Sequence, residues 1–153
     1  MSALLALALA AAAVAVFDPV DFFEGHTHGE GTLKVIFQSP KAISVDNEGR
    51  VEADGTLLLN QRVQEAGKPA RIRHWRLKRT GPTTFAGTLT DAAGPVSVEL
   101  IGNRARIRYR MKNNMTAEQW LTPAGPKLVR NKMKVRRFGL IVAHFEETIR
   151  KLD

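Results

Sequence analysis

The sequence predicts an all-β protein: a single antiparallel up-and-down barrel of about nine to ten strands, with a short N-terminal helix after a signal-like segment. Three observations carry this. Turn signals recur every ~8–12 residues from residue 32 onward, with no helical period of about ten residues between them. Period-two alternation of apolar and polar residues marks the strands, most clearly over Arg104–Met111. The 153 residues are enough for one domain with a real core, and a closed meander of this size leaves no free sheet edge.

The apolar run Ala3–Phe17 carries no charge, and Ala13-Val14-Ala15 is a small-x-small cleavage signature. Residues 1–15 are therefore expected to be a signal peptide or N-terminal anchor, and 16–153 the barrel domain, exported to the periplasm or cell envelope. The run stops at Asp18-Pro19, short of the ~20 residues that span a bilayer. Asp18 and Pro19 then read as the cap and first position of a short helix, Asp18–Phe23, plugging one barrel end.

The strands follow in order. Gly25 and Gly29 argue against a straight strand near His26 and His28, so the first is expected over Thr32–Phe37, ending at Ser39-Pro40. Ala42–Val51 is broken by a tight turn at Asp46-Asn47-Glu48-Gly49. Asp54-Gly55 leads into Thr56–Gln64, and Glu65–Pro69 separates that strand from Arg71–Arg79. Thr84–Thr90 and Val96–Ile101 come next, and Gly102-Asn103 joins the latter to Arg104–Met111. Thr116–Leu121 and Leu128–Arg136 complete the clear strands, while Leu140–Leu152 fits strand or helix.

Composition narrows the chemistry. The absence of cysteine removes disulfides, thiolate metal ligands, a cysteine nucleophile and an acylated lipoprotein anchor. Residues 1–69 hold five Lys/Arg against nine Asp/Glu, and residues 70–153 hold eighteen against six, so the second half carries the positive charge. Such asymmetry fits an anionic membrane surface or a solvated basic face. No nucleic-acid motif accompanies it, and no nucleic-acid partner is expected.

The clearest strand alternates Ala105, Ile107, Tyr109 and Met111 with Arg104, Arg106, Arg108 and Arg110. Outward arginines form a basic ladder suited to an anionic surface; inward ones would line a pocket for an anionic ligand. The outward reading is favoured because an unpaired buried arginine is costly. In Arg71–Arg79, Trp75 and Leu77 share a face with Arg71, Arg73 and Arg79. Trp75, Tyr109 and Trp120 are the expected lining of a lumen for a small apolar or amphipathic, lipid-like ligand.

The chain resembles an uncharacterised bacterial family of exported proteins and lipoproteins, the domain-of-unknown-function 3833 family. The matching features are Phe22-Phe23-x-Gly25 running to Gly29-x-Gly31, Trp75, Asp91 with Gly94, Gly102-Asn103 followed by Tyr109, Trp120, Asn131 with Met133, and Phe138-Gly139. The resemblance implies a lipocalin-like, calycin-type barrel and transfers no catalytic residue. This chain departs from the lipoprotein members in lacking a lipobox cysteine. A looser likeness is to lipocalins and haem-binding nitrobindins, whose first strand opens Gly-x-Trp; Gly25-His26-Thr27 has threonine in the tryptophan place.

Metal and catalytic readings are weaker. Glu24, His26, His28 and Glu30 would share a face in an extended strand, but two histidines at i, i+2 are more often surface residues. His144 as an axial haem ligand competes with a hydrogen-bonded, partly buried histidine. No nucleophile elbow, phosphate loop or zinc-protease helix is present. The expectation is a monomeric, non-enzymatic binding protein without metal or cofactor; the alternative is an envelope protein docking on anionic lipid through its basic second half.

Overall fold

A computed structural model describes residues 17–153. The expected signal or anchor segment lies outside the described residues. After the helix α1 (Pro19–Phe23) come ten strands. They are β1 (Gly25–Val35), β2 (Lys41–Val51), β3 (Leu57–Glu65), β4 (Arg71–Arg79) and β5 (Thr84–Leu89), then β6 (Val96–Ile101), β7 (Arg104–Met111), β8 (Met115–Gly125), β9 (Leu128–Arg137) and β10 (Leu140–Lys151). Every strand pairs antiparallel with its sequence neighbours, and β1 pairs with β10 to close the barrel. Full closure satisfies the ladder hydrogen bonds that an open meander would leave at its edges.

The final segment is a strand, and its pairing with β1 is what makes the barrel shut. Two expectations are corrected. Asp46–Gly49 is not a turn: β2 runs unbroken, its residues paired one for one with β1 and β3. Asn47 points inward, where its Nδ2 donates to Thr27 Oγ1 at 2.9 Å. Gly49 is glycine because an added Cβ would lie 1.7 Å from the Phe23 carbonyl oxygen of the helix. The turn-like composition therefore records a polar core pair and a close helix approach.

The second correction concerns β1, which starts at Gly25 and passes straight through both glycines. A Cβ at Gly29 would meet Glu147 Oε2 at 2.3 Å, and one at Gly31 would meet the Glu146 carbonyl oxygen at 2.1 Å. These glycines open room for β10 rather than bending the strand.

Alternation sets the walls. Inward positions build the core from Leu57, Leu59, Trp75, Leu77, Phe85, Val98, Ile107 and Leu121, all buried. The helix closes one end as expected: Asp18 Oδ1 accepts from Val20 N at 2.8 Å, and Pro19 stands in the first turn. Phe22 and Phe23 are both buried, with their rings edge-to-face at 5.1 Å. Lys151 Nζ ties the helix down by donating to the carbonyl oxygens of Phe22 (2.9 Å) and Glu24, and Arg79 pairs with Asp18 at 3.0 Å. No helix of the described residues is long and apolar enough to cross a membrane.

Candidate functional site: the barrel lumen

Below the helix lies a cavity of about 100 Å³, walled by apolar side chains from around the barrel, among them Phe23, Leu59, Leu77, Ile107 and Leu121. Its far side is only partly shielded: Leu33, Val63, Met133 and Phe145 stand half-buried where their strands approach the end opposite the helix. The barrel thus has a floor and a mouth.

The wall is not uniformly apolar. Five of the residues that wall the cavity are polar: Gln61 on β3, Arg73 on β4, Gln119 on β8, Asn131 on β9 and Glu147 on β10. Register puts Gln61 opposite Arg73, and Asn131 opposite Glu147. Asn131 Nδ2 donates to Glu147 Oε1 at 3.0 Å, Trp75 Nε1 donates to Gln61 Oε1 at 2.5 Å, and Gln119 Nε2 reaches Met133 Sδ at 3.1 Å.

The hydrogen bonding is incomplete. Glu147 Oε2 and Asn131 Oδ1 are buried without a partner. Arg73 Nε lies 3.2 Å from Asp91 Oδ2, an ion pair, yet without an aligned hydrogen bond. Buried polar atoms are nearly always satisfied, so two orphans on directly opposed residues of β9 and β10 stand out. Burial raises the Glu147 pKa above its ordinary value, and the Asn131 hydrogen bond and the Arg73 charge oppose that only in part. A carboxyl that tends to hold its proton can donate a hydrogen bond into the lumen; an arginine facing the same space can receive an anion.

The predicted lining residues separate. Trp75 is on the cavity wall. Tyr109 is buried behind it, ring centroids 5.8 Å apart and edge-to-face, as part of the packed core. Trp120 is not in the lumen: β8 turns Ala117, Gln119 and Leu121 inward and Trp120 outward. There the Arg104 guanidinium covers its ring at 4.1 Å and Trp120 Nε1 donates to Glu118 Oε1 at 3.1 Å. A tryptophan can sit outside because its apolar faces are shielded by such cations while its N–H stays wet.

Arg104, Arg106, Arg108 and Arg110 all lie on the outer face, as favoured from the pattern. Two of them are occupied: Glu99 Oε1 accepts from Arg106 at 2.6 Å and from Arg108 at 2.9 Å. The ladder is therefore partly neutralised within the sheet. His28 points outward as well, Nδ1 2.6 Å from Asp46 and Nε2 3.2 Å from Glu30. The Asp46 hydrogen bond, helped by Glu30, raises its pKa.

Gln61, Arg73, Gln119, Asn131 and Glu147 were not among the expected site residues. Each interrupts an apolar inward face, as in Leu57-x-Leu59-x-Gln61-x-Val63 and Ala143-x-Phe145-x-Glu147-x-Ile149, and that interruption is the signal that marks them.

A closed, plugged antiparallel barrel with a partly polar lumen is a lipocalin-like fold. The chain belongs to the family described as "protein of unknown function (DUF3833)", which it matches over residues 6–151. No curated protein matches it in sequence. Among solved structures it is similar to an S-type phycobiliprotein lyase from Guillardia theta, with a TM-score of 0.71 and 7% identity over 88% of this chain and 90% of that one. It is also similar to a Nostoc punctiforme protein of unknown function from the DUF3598 family, with a TM-score of 0.66 and 11% identity over 87% of this chain and 48% of that one. At these identities the likeness is one of fold.

Proposed function

We propose that this is an exported, monomeric cell-envelope protein that binds a small amphipathic, lipid-like ligand in its lumen without chemical turnover. The observation that carries the reading is the band of unsatisfied polar atoms inside an otherwise apolar cavity. A packed core without a ligand gains nothing from burying Glu147 Oε2 and Asn131 Oδ1 unpaired, and each such atom costs about 1–3 kcal/mol. A ligand with one polar group at mid-height would satisfy them, and its apolar part would fill the space between the band and Phe23.

The dimensions define the ligand further. About 100 Å³ is less than the ~300 Å³ of an ordinary small-molecule site. The ligand is therefore slender, or it displaces the half-buried Met133 and Phe145 on entry. Arg73 favours an anionic or strongly accepting polar group. The lyase named above is a protein of the same fold, and its activity supports only the general suitability of such a barrel for a small ligand. Export rests on the apolar run ahead of the barrel.

Tryptophan fluorescence provides the test. The chain has two tryptophans, so Trp120→Phe leaves Trp75 as the sole emitter, on the lumen wall. Titration with dodecanoate and with dodecanol should shift Trp75 emission saturably, dodecanoate more strongly, and Arg73→Gln should remove that preference. Native mass spectrometry of protein from its own host's envelope should show a discrete added mass that survives high salt. A flat Trp75 response to both probes together with a bare native mass would sink the reading.

A further inference from the structure

We propose that the mouth end of the barrel is a membrane-docking edge, in which Phe37 and Phe138 at two adjacent hairpin tips insert into the interface of an anionic lipid bilayer. The two tips are neighbours because β1 and β10 are paired: the turn after β1 and the turn before β10 leave the barrel side by side, and Ile36 N donates to the Val142 carbonyl oxygen at 2.9 Å.

The tips present bulky apolar side chains to solvent. Phe37 is 96% exposed, Phe138 76% and Leu140 72%, with Ile36 and Ile141 beside them. Single exposed apolar residues need no explanation, but five on one rim form a patch of the kind that marks an interaction surface.

The backbone makes the choice more costly. Gln38 N bonds to the Val35 carbonyl oxygen at 3.0 Å, so Phe37 stands at the third position of a turn with φ 64°, where glycine or asparagine fits. Phe138 and Gly139 form a two-residue hairpin with φ values of 51° and 79°, a turn that ordinarily takes asparagine before glycine. The same chain uses asparagines at the left-handed positions Asn113 and Asn114. Folding alone gives no reason for phenylalanine in either place, since neither ring is buried.

Charge identifies the occupant. Residues 33–43 and 133–145, the strand ends and turns that form this edge, contain five Lys/Arg (two and three) and no Asp or Glu. Lys34, His144 and Lys134 lie in one cross-strand row just below the tips, and Arg137 covers the Phe138 ring at 5.3 Å. Lys41 alone of the five has a carboxylate partner, Glu65 at the end of β3, 3.2 Å away, whereas at the helix end Asp18, Glu52 and Asp54 each pair with a cation. Exposed aromatics flanked by Lys34, Lys134, Arg136 and Arg137, none of them in an ion pair among the described residues, match the acyl boundary and headgroups of an anionic bilayer. The basic ladder of β7, half neutralised by Glu99, is a weaker candidate for that surface.

The test uses the full chain, which contains no native cysteine. Gln38→Cys at the mouth edge and Ala53→Cys at the helix end each carry an environment-sensitive fluorophore, and vesicles are phosphatidylcholine with or without phosphatidylglycerol. Label at residue 38 should blue-shift and be quenched by brominated acyl chains on phosphatidylglycerol vesicles, with high salt weakening the response, while label at residue 53 stays unchanged. Phe37→Ser with Phe138→Ser should weaken vesicle partitioning by roughly tenfold or more per phenylalanine and leave thermal stability intact. Wild-type partitioning in the double variant, or equal responses from both labels, overturns the proposal. So does a lipid-independent dimer, seen by sedimentation, that the double variant loses. Failure here leaves the lumen reading standing, because neither tip residue lines the cavity.

Discussion

Replacing Glu147 by glutamine tests the physical state of the lumen directly. The glutamine side chain is nearly isosteric, and an amide at this position keeps an acceptor for Asn131 Nδ2. It also fits the gap left by Gly29, whose missing Cβ would otherwise stand 2.3 Å from Oε2. The change removes one thing, the ability to ionise in a buried place. Because burial raises the folded pKa above the ordinary 4.5, the folded wild type favours the protonated carboxyl. The stability tied to that proton is complete below pH 4.5 and is lost as pH rises through the raised folded value. The variant should therefore match the wild type near pH 4 and exceed it above neutrality. A carboxylate left with one unpaired buried oxygen costs about 1–3 kcal/mol, and for a domain of this size ~1 kcal/mol moves Tm by about 3 °C. The expected gain is ~3–9 °C at pH 8, read by differential scanning calorimetry of ligand-free protein from pH 4 to 8. A constant difference across that range, or a variant less stable at pH 8, would refute the reasoning. The second result would mean that Arg73 holds Glu147 ionised despite burial.

Further outcomes follow from other contacts. Gly49→Ala should release α1, since its Cβ would sit 1.7 Å from the Phe23 carbonyl oxygen; limited proteolysis near residue 24 and increased dye binding at the exposed floor would report it. Trp75→Ala removes a buried ring and its edge-to-face contact with Tyr109, and should cost ~3–5 kcal/mol in urea unfolding while enlarging the lumen. In NMR titration His28 should protonate above its ordinary 6.5, and Asp46→Asn should bring it down. The stability it contributes is full below 6.5 and fades as pH rises through the raised value. Glu99→Gln should leave the fold unchanged and increase salt-sensitive retention on a phosphate-bearing resin, because Arg106 and Arg108 lose their common partner.

The barrel was legible because its signals are local. Turn residues punctuate every strand, and period two separates Ile107 and Tyr109 from the arginines between them without any knowledge of neighbours. The capped helix was readable from Asp18-Pro19 alone. The polar band was not, because its meaning depends on pairing. A single glutamine or glutamate on an apolar face looks like noise until the β9–β10 register brings Asn131 to Glu147, and that register follows from closure. The glycines of β1 misled for the same reason: their purpose lies on β10, more than a hundred residues away. Trp120 is a different failure. Its own strand alternates Ala117, Gln119 and Leu121 against it, so the outward orientation could have been read, and only the expectation that a tryptophan is buried argued otherwise. Asp46–Gly49 shows the converse, where composition imitated a turn because a strand had to accommodate a polar core pair and a helix.

The floor and mouth of the barrel differ in how firmly they are built, and that difference bears on both functional readings. The floor is fixed by several independent ties: the Lys151 ammonium on the helix carbonyls, the Arg79–Asp18 pair, the close approach at Gly49, and Asp153 accepting from His26 N at 3.0 Å. Opening it would break several of these at once, so a ligand passing that way would meet a barrier close to that of unfolding the end strands. The mouth is bounded by half-buried Leu33, Val63, Met133 and Phe145, whose displacement breaks no ladder hydrogen bond. Met133 accepts a single hydrogen bond, through sulfur from Gln119 Nε2, and methionine repacks readily. On the proposed lumen reading exchange belongs at the mouth, the end that carries the exposed phenylalanines and the cationic hairpin tips. If the tips rest on a bilayer, a lipid-like ligand leaving the membrane meets Phe145 and Met133 first and then the polar band, without crossing bulk water. The two proposals are independent in their tests, but the same asymmetry between a tied floor and a loose mouth places both at one end of the barrel.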